Sequence, residues 1–129
     1  MFLRILTYFW LLMTLVLLLK PGIGRETNVF FPGEDKVVHL GLFCSLTMLW
    51  YHHFLQEIKM TRIVATWVII ISGILLSGTT EIAQAYIPGR GSDIEDFISN
   101  ILGVTIGIIA YLIGIRLLQF DTKSKPLRS

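Results

Sequence analysis

The sequence predicts an all-α protein, a polytopic membrane bundle of four transmembrane helices with both termini in the cytoplasm. Of its 129 residues, 53% are hydrophobic and only 16% are charged, whereas about a quarter of the residues are charged in a typical soluble domain. Four apolar segments are separated by short polar loops, and at about 20 residues per span they use roughly 80 residues. We therefore expect a single transmembrane domain over residues 1–129.

The four predicted spans cover about residues 5–20, 37–55, 63–86 and 95–117. The first follows Arg4 and ends at Lys20; it also fits the apolar core of a signal peptide, but no small-residue cleavage site follows it. The second begins after Asp35-Lys36 and ends near His52-His53, two side chains that we expect at the surface.

The third span ends before Pro88-Gly89. Its β-branched run Ile69-Ile70-Ile71 does not indicate a strand, because a lone strand cannot satisfy its backbone in lipid. Ser92 precedes Glu95 by three residues, the spacing of a capping box, which predicts the start of the fourth helix.

Lys and Arg residues set the predicted orientation, because cytoplasmic loops carry an excess of them. Seven lie on the side of the two termini: Arg4, Lys59, Arg62, Arg116, Lys123, Lys125 and Arg128. Four lie on the opposite side: Lys20, Arg25, Lys36 and Arg90. The acidic residues Glu26, Glu34, Asp35, Asp93, Glu95 and Asp96 also fall on that opposite side. The outward face is therefore predicted to be polar and acidic.

Several polar residues lie at the outer ends of three predicted spans, although an ionisable group costs about 2.5 to 3.5 kcal/mol at the membrane centre. Spacings of three and four residues place them on single helix faces. The predicted polar cluster comprises Lys36, His39, Glu81, Gln84, Arg90, Asp93, Asp96 and Asn100. Arg90 lies in the loop before the fourth helix, where backbone amides also favour anions.

Each of these residues also has a structural interpretation. Arg90 can serve only to neutralise nearby acids, and Asn100 can serve only to join two helices. His39 fits hydrogen-bonded packing better than metal ligation, so we expect neither a metal nor a cofactor. Gly103 and Gly107 form a G-x-x-x-G pair that predicts close helix packing on the same face.

Three ordered motifs connect these residues. They read D-K-x-x-H-x-x-x-F over residues 35–43, E-x-x-Q over 81–84, and R-x-S-D-x-x-D-x-x-x-N-x-x-G-x-x-x-G over 90–107. Their order and spacing resemble those of VanZ-like membrane proteins. The resemblance implies a small multi-pass protein of the bacterial cell membrane, in a family whose name-giving member is associated with resistance to teicoplanin. It implies no defined reaction.

Three functions agree with these features. In the first, the protein binds a membrane lipid or a lipid-linked cell-wall precursor, with Arg90 and Lys36 on a phosphate and with Glu81 and Asp96 accepting hydrogen bonds from sugar or amine groups. The second is an intramembrane enzyme that acts on a lipid-linked substrate, with Glu81 or Asp96 as general acid or base and with a bound divalent cation as an open alternative. The third is a small ion-coupled transporter, which the lack of an internal repeat disfavours. A net charge of only +2 gives no indication of nucleic-acid binding.

Overall fold

The computed structural model describes residues 2–21 and 33–124. Over these residues it contains four α-helices: α1 (Phe2–Leu18), α2 (Glu34–His52), α3 (Arg62–Gln84) and α4 (Ile94–Ser124). A single π-helical turn, His53–Glu57, follows α2, and the described part of the chain contains no strand. The predicted all-α class is thus confirmed. Arg25, Glu26, Lys125 and Arg128, which entered the charge count, lie outside the described residues.

The helix starts have identifiable causes. Before α2, Gly33 adopts a left-handed conformation with φ of 84°, which glycine tolerates without steric cost. The Thr61 side chain accepts a hydrogen bond from the Val64 amide and caps α3. Glu95 N–H donates to Asp93 Oδ1 at 2.9 Å, so that Asp93 caps α4. The predicted capping box at Ser92 is wrong, because the helix begins one residue later on a carboxylate that also complements the helix dipole.

The molecule is polar inside and apolar outside. Among the described residues, eleven polar or charged side chains are buried against eight hydrophobic ones. Large apolar side chains are exposed on all four helices, for example Phe9, Met48, Trp67 and Ile106. Because water would penalise such a surface, this distribution is typical of a protein whose outer surface contacts lipid.

Two helices are long and apolar enough to cross a membrane, judged by length and composition: α3, and α4 over Ile94–Leu117. The described residues also contain one shorter apolar helix, α1, with 17 residues. The segment of α2 is not among the helices that meet this criterion; its first turn carries Glu34 and Asp35, and its mean hydropathy is lower.

The most extensive helix interface joins α2 to α4. Gly103 and Gly107 lie in this interface, directly against the backbone of α2. A Cβ atom added at Gly107 would lie 2.6 Å from the carbonyl oxygen of Cys44, and one added at Gly103 would collide with that of Leu40. The two glycines therefore allow α2 and α4 to approach closely, which brings the polar residues at their outer ends together.

The prediction that His53 is a surface residue is wrong. His53 is only 7% exposed. Its ring lies against those of Tyr8 and Phe54, with centroid distances of 5.8 and 5.9 Å. The π-helical turn that begins at His53 continues the helix past His52 and keeps His53 beside α1. His52 is half-buried, and its Nδ1 lies 3.3 Å from the Tyr111 hydroxyl.

Candidate functional site

Three ionisable side chains from three helices meet in the interior. His39 of α2, Glu81 of α3 and Asp96 of α4 are 2%, 4% and 7% exposed. His39 Nε2 lies 3.6 Å from Asp96 Oδ2, and His39 Nδ1 lies 3.9 Å from Glu81 Oε1. One nitrogen or oxygen atom from each side chain can be chosen so that all three lie within 4.8 Å of one another. We call these three residues the buried trio.

A hydrogen-bonded chain fixes the orientation of the histidine. Asn100 Nδ2 donates to Ser77 Oγ at 3.0 Å, which directs Asn100 Oδ1 toward His39 Nδ1 at 3.1 Å. Because an amide oxygen only accepts, His39 Nδ1–H is the donor. In a neutral imidazole, Nε2 then carries its lone pair on the side facing Asp96. Asn100 and Ser77 are themselves fully buried.

Lys36 forms an ion-pair group at the outer end of the site. Its Nζ lies 3.1 Å from Glu95 Oε2, 3.2 Å from Asp93 Oδ2 and 3.7 Å from Asp96 Oδ1. Hydrogen bonds to Glu95 and Asp93 raise the pKa of Lys36 above its usual value. A hydrogen bond from the Glu95 backbone amide, and to a smaller extent one from the Lys36 side chain, holds the pKa of Asp93 below its usual value. Lys36 and Asp93 therefore stay charged at neutral pH, and Lys36 ties α2 to the start of α4.

Glu81 connects the trio to the turn between α3 and α4. Its Oε2 accepts a hydrogen bond from the Asp93 backbone N–H at 3.2 Å. Gly89 in that turn has φ of 75°, a left-handed conformation that favours glycine. Arg90 follows it and lies close enough to Glu81 and His39 for its charge to act on both. The turn thus brings a guanidinium near the trio.

Two carboxylate oxygens of the trio are buried and have no hydrogen-bond partner among residues 2–21 and 33–124. They are Glu81 Oε1 and Asp96 Oδ1; the ammonium group of Lys36, at 3.7 Å, is too far from the second to hydrogen-bond. A buried charged acceptor without a partner is costly, because it loses its hydration and gains nothing in return. The site is therefore arranged to receive a hydrogen-bond donor, a proton or a cation.

Gln84 lies outside the site, next to the end of α1. Its side-chain Nε2 donates to the carbonyl oxygen of Leu18 at 2.9 Å, at the end of α1. One of the last carbonyls of α1 is thereby satisfied by α3. Of the eight residues in the predicted cluster, three form the trio, four lie around it, and Gln84 lies on the side of α1.

Two contributors were not assigned to the cluster from sequence. Ser77 ends the His39–Asn100 chain, and its position four residues before Glu81 is the signal that could have identified it. Glu95, which the sequence placed in a capping box, pairs instead with Lys36 at 3.1 Å. Glu95 lies in the first turn of α4 beside Asp93 and Asp96, and this group of acids is the signal that could have indicated a shared basic partner.

Exposed apolar side chains on the helices, two of them long and apolar enough to cross a membrane, and a polar site buried between helix ends are typical of small helical membrane proteins. Within this class, the VanZ/LLP1 family model matches residues 3–117, and the chain belongs to that family. The resemblance of its three motifs is thus confirmed. Neither the curated proteins nor the solved structures contain a match to this chain.

Proposed function

We propose that this VanZ-like protein binds the polar head group of a membrane lipid or a lipid-linked cell-wall precursor at the site around His39, Glu81 and Asp96. The observation that carries the proposal is a pair of buried acceptor oxygens, Glu81 Oε1 and Asp96 Oδ1, for which the described ranges 2–21 and 33–124 supply no hydrogen-bond donor. Hydroxyl or amine groups of a head group would supply the donors that these oxygens lack. Membrane lipids and lipid-linked precursors offer such groups at the depth where helix ends lie.

The proposed topology has four spans, with both termini in the cytoplasm and the site at the outer surface of the cell membrane. It is supported by the excess of Lys and Arg on the side of the termini and by exposed apolar side chains on every helix. At 1.5 Å per residue, the 17 residues of α1 are about 26 Å long, close to the roughly 30 Å of a bilayer core.

Access to the site follows a gradient of exposure. The side chain of Glu95 is 67% exposed, those of Asp93 and Lys36 are 42% and 29% exposed, and that of Asp96 is 9% exposed. A head group would therefore enter past the Lys36 ion-pair group and reach Glu81 and Asp96 last. The positive charges of Arg90 and Lys36 would together attract the phosphate of the head group.

Lipid analysis tests this proposal. We expect wild-type protein purified in mild detergent to retain a defined phosphate-containing lipid, detected by native mass spectrometry, and Arg90→Ala to lose most of it. Arg116→Ala removes an arginine from the opposite end of α4 and is the matched control. Equal retention by wild type and Arg90→Ala, or no retained lipid in either, would contradict head-group binding.

A link to glycopeptide resistance is part of the same proposal, since the name-giving VanZ protein is associated with teicoplanin resistance. We expect a sensitive Gram-positive host to become less susceptible to teicoplanin when it expresses the wild-type chain. Asp96→Asn at the same membrane level should remove the protection. Unchanged susceptibility with wild type would separate this chain from the resistance phenotype.

An intramembrane enzyme is the second candidate, favoured by the 3.6 Å approach of His39 Nε2 to Asp96 Oδ2. An imidazole beside a buried carboxylate can move a proton between substrate and protein. Turnover of a retained lipid by wild type but not by Glu81→Gln or Asp96→Asn would select this candidate over simple binding. Flux of protons or ions into proteoliposomes that depends on Glu81 would instead select a transporter.

A further inference from the structure

We infer that His39, Glu81 and Asp96 bind a divalent transition-metal cation. The separation of 3.6 Å between His39 Nε2 and Asp96 Oδ2 is too long for a hydrogen bond. It is close to the roughly 3.4 Å that separates two ligands on one tetrahedral ion with bonds of about 2.1 Å. One ligand atom from each of the three residues, Glu81 included, can be chosen so that all lie within 4.8 Å of one another, and small side-chain movements would bring them onto one ion.

The histidine is held in the form that a metal requires. Asn100 Oδ1 accepts from His39 Nδ1–H, which leaves the Nε2 lone pair directed at Asp96. Metal-binding histidines commonly donate their second N–H to such an acceptor, because it fixes both the tautomer and the ring orientation. Without a positive charge between them, the Nε2 lone pair and the Asp96 carboxylate would repel each other.

The electrostatics of the site also favour a cation. Among the described residues, five carboxylates lie near two basic side chains; the carboxylates are Asp35, Glu81, Asp93, Glu95 and Asp96, and the basic residues are Lys36 and Arg90. The charge of Lys36 is shared among four of these acids. Glu81 Oε1, in a side chain only 6% exposed, lies 3.9 Å from His39 Nδ1 and accepts no hydrogen bond from the part of the chain that the structure describes. A divalent ion would compensate the negative charge where it is deepest.

The donor set selects the kind of ion. One imidazole nitrogen and two carboxylate oxygens suit Zn²⁺ or Mn²⁺, whereas Mg²⁺ and Ca²⁺ prefer oxygen ligands alone. Three protein ligands leave at least one coordination position for water or an anionic oxygen. A phosphate oxygen would occupy this position, so that the ion would allow an acidic site to bind phosphate. This role of the ion rests on the proposed head-group function, whereas metal binding itself does not.

Metal binding can be measured on full-length protein in detergent after treatment with EDTA and dialysis. We expect wild type to bind one Zn²⁺ per chain, counted by elemental mass spectrometry, and to bind Co²⁺ with visible absorption bands that Zn²⁺ displaces. His39→Gln, Glu81→Gln and Asp96→Asn should each weaken Zn²⁺ binding at least tenfold. Asn100→Ala, which keeps the three proposed ligands but removes the acceptor behind the histidine, should weaken it by roughly 10- to 100-fold.

Glu57→Gln is the matched control, because the exposed Glu57 lies in the π-helical turn at the opposite end of α2 and should leave Zn²⁺ affinity within twofold of wild type. Less than a fifth of an equivalent of bound Zn²⁺ in wild type, or equal losses in Glu57→Gln and Glu81→Gln, would overturn the inference. If a trio variant does not fold, wild type alone decides: saturating Zn²⁺ must raise its unfolding temperature by several degrees, and no rise refutes binding to the folded state.

Lipid retention separates this inference from the proposed function. Lipid that remains bound in EDTA, in protein that binds no Zn²⁺, would overturn the metal site and leave head-group binding intact. Stoichiometric Zn²⁺ binding by protein that retains no lipid would support the metal site and contradict head-group binding. Lipid that is released by EDTA and recovered with Zn²⁺ would support both.

Discussion

Asn100 of α4 accepts a hydrogen bond from the Nδ1–H group of His39 on α2 across 3.1 Å, and both side chains are buried. The same amide donates to Ser77 of α3 at 3.0 Å. One side chain therefore satisfies polar groups on two other helices, at the level where the buried trio lies. Any change at Asn100 affects both the packing of three helices and the orientation of the histidine.

Asn100→Ala should destabilise the folded protein by about 1–3 kcal/mol, because it leaves the polar groups of His39 and Ser77 buried without their partner. Thermal unfolding of purified protein in detergent, followed by circular dichroism, measures the loss. Ser99→Ala is the control, since the exposed Ser99 hydroxyl bonds only to a carbonyl of its own helix. An Asn100→Ala protein as stable as Ser99→Ala would show that the hydrogen-bonded chain is not a stabilising contact.

Gly103→Ala and Gly107→Ala should each separate α2 from α4. A methyl group at Gly107 would lie 2.6 Å from the Cys44 carbonyl oxygen and 2.8 Å from Thr47 Cβ, and backbone cannot move aside cheaply. Overpacking of this kind costs typically about 1–3 kcal/mol.

Gly114→Ala on the same helix provides the control for this prediction. No atom lies within 4 Å of a Cβ built at Gly114. The substitution should therefore be neutral or stabilising by up to about 1 kcal/mol, because alanine favours helix. Equal unfolding temperatures for Gly107→Ala and Gly114→Ala would argue against close contact of α2 and α4.

More of the fold than of the site could be predicted from the sequence. Helical spacing alone placed His39, Glu81 and Asp96 on helix faces that can meet, and the small residues Gly103 and Gly107 marked a face that packs. The partner of Gln84 could not be inferred, because its hydrogen bond to the Leu18 carbonyl depends on where α1 docks. No periodicity in α3 contains that information.

Local alternatives also limited the prediction. Ser92 and Asp93 are both good capping residues, and only the path of the loop after Gly89 decides that Asp93 caps α4. His53 follows Tyr51 and His52, and this polar stretch resembles a helix end. The π-helical turn instead continues the helix, and the His53 ring is buried against Tyr8. Both differences are tertiary effects on short segments.

The Lys36 ion-pair group should give a defined dependence of stability on pH. The pKa of Asp93 is lowered in the folded protein, so its contribution is present above the unfolded value near 3.8 and is lost as pH falls through the folded pKa. The pKa of Lys36 is raised, so its contribution is present below 10.5 and is lost as pH rises through the folded pKa. The contact therefore operates across the intervening range.

Lys36→Met should accordingly lower the unfolding temperature by a nearly constant amount between about pH 5 and 9, and by less below about pH 4. Lys20→Met is the control, since Lys20 forms no ion pair with another residue that the structure describes. A difference between wild type and Lys36→Met that is unchanged at pH 3 would mean that Asp93 and its neighbours do not interact with Lys36 as charges.

The proposed topology predicts which loops a membrane-impermeant maleimide can reach in intact cells. Cys44 is the only cysteine, and Cys44→Ala gives a cysteine-free background. In that background, Ser92→Cys, in the loop beside the site, should react from outside, because the positive-inside rule places this loop outward. Lys59→Cys and Phe2→Cys should react only after the cells are permeabilised. Labelling of Lys59→Cys in intact cells with protection of Ser92→Cys would invert the orientation, and labelling of both would mean that α3 does not cross the membrane.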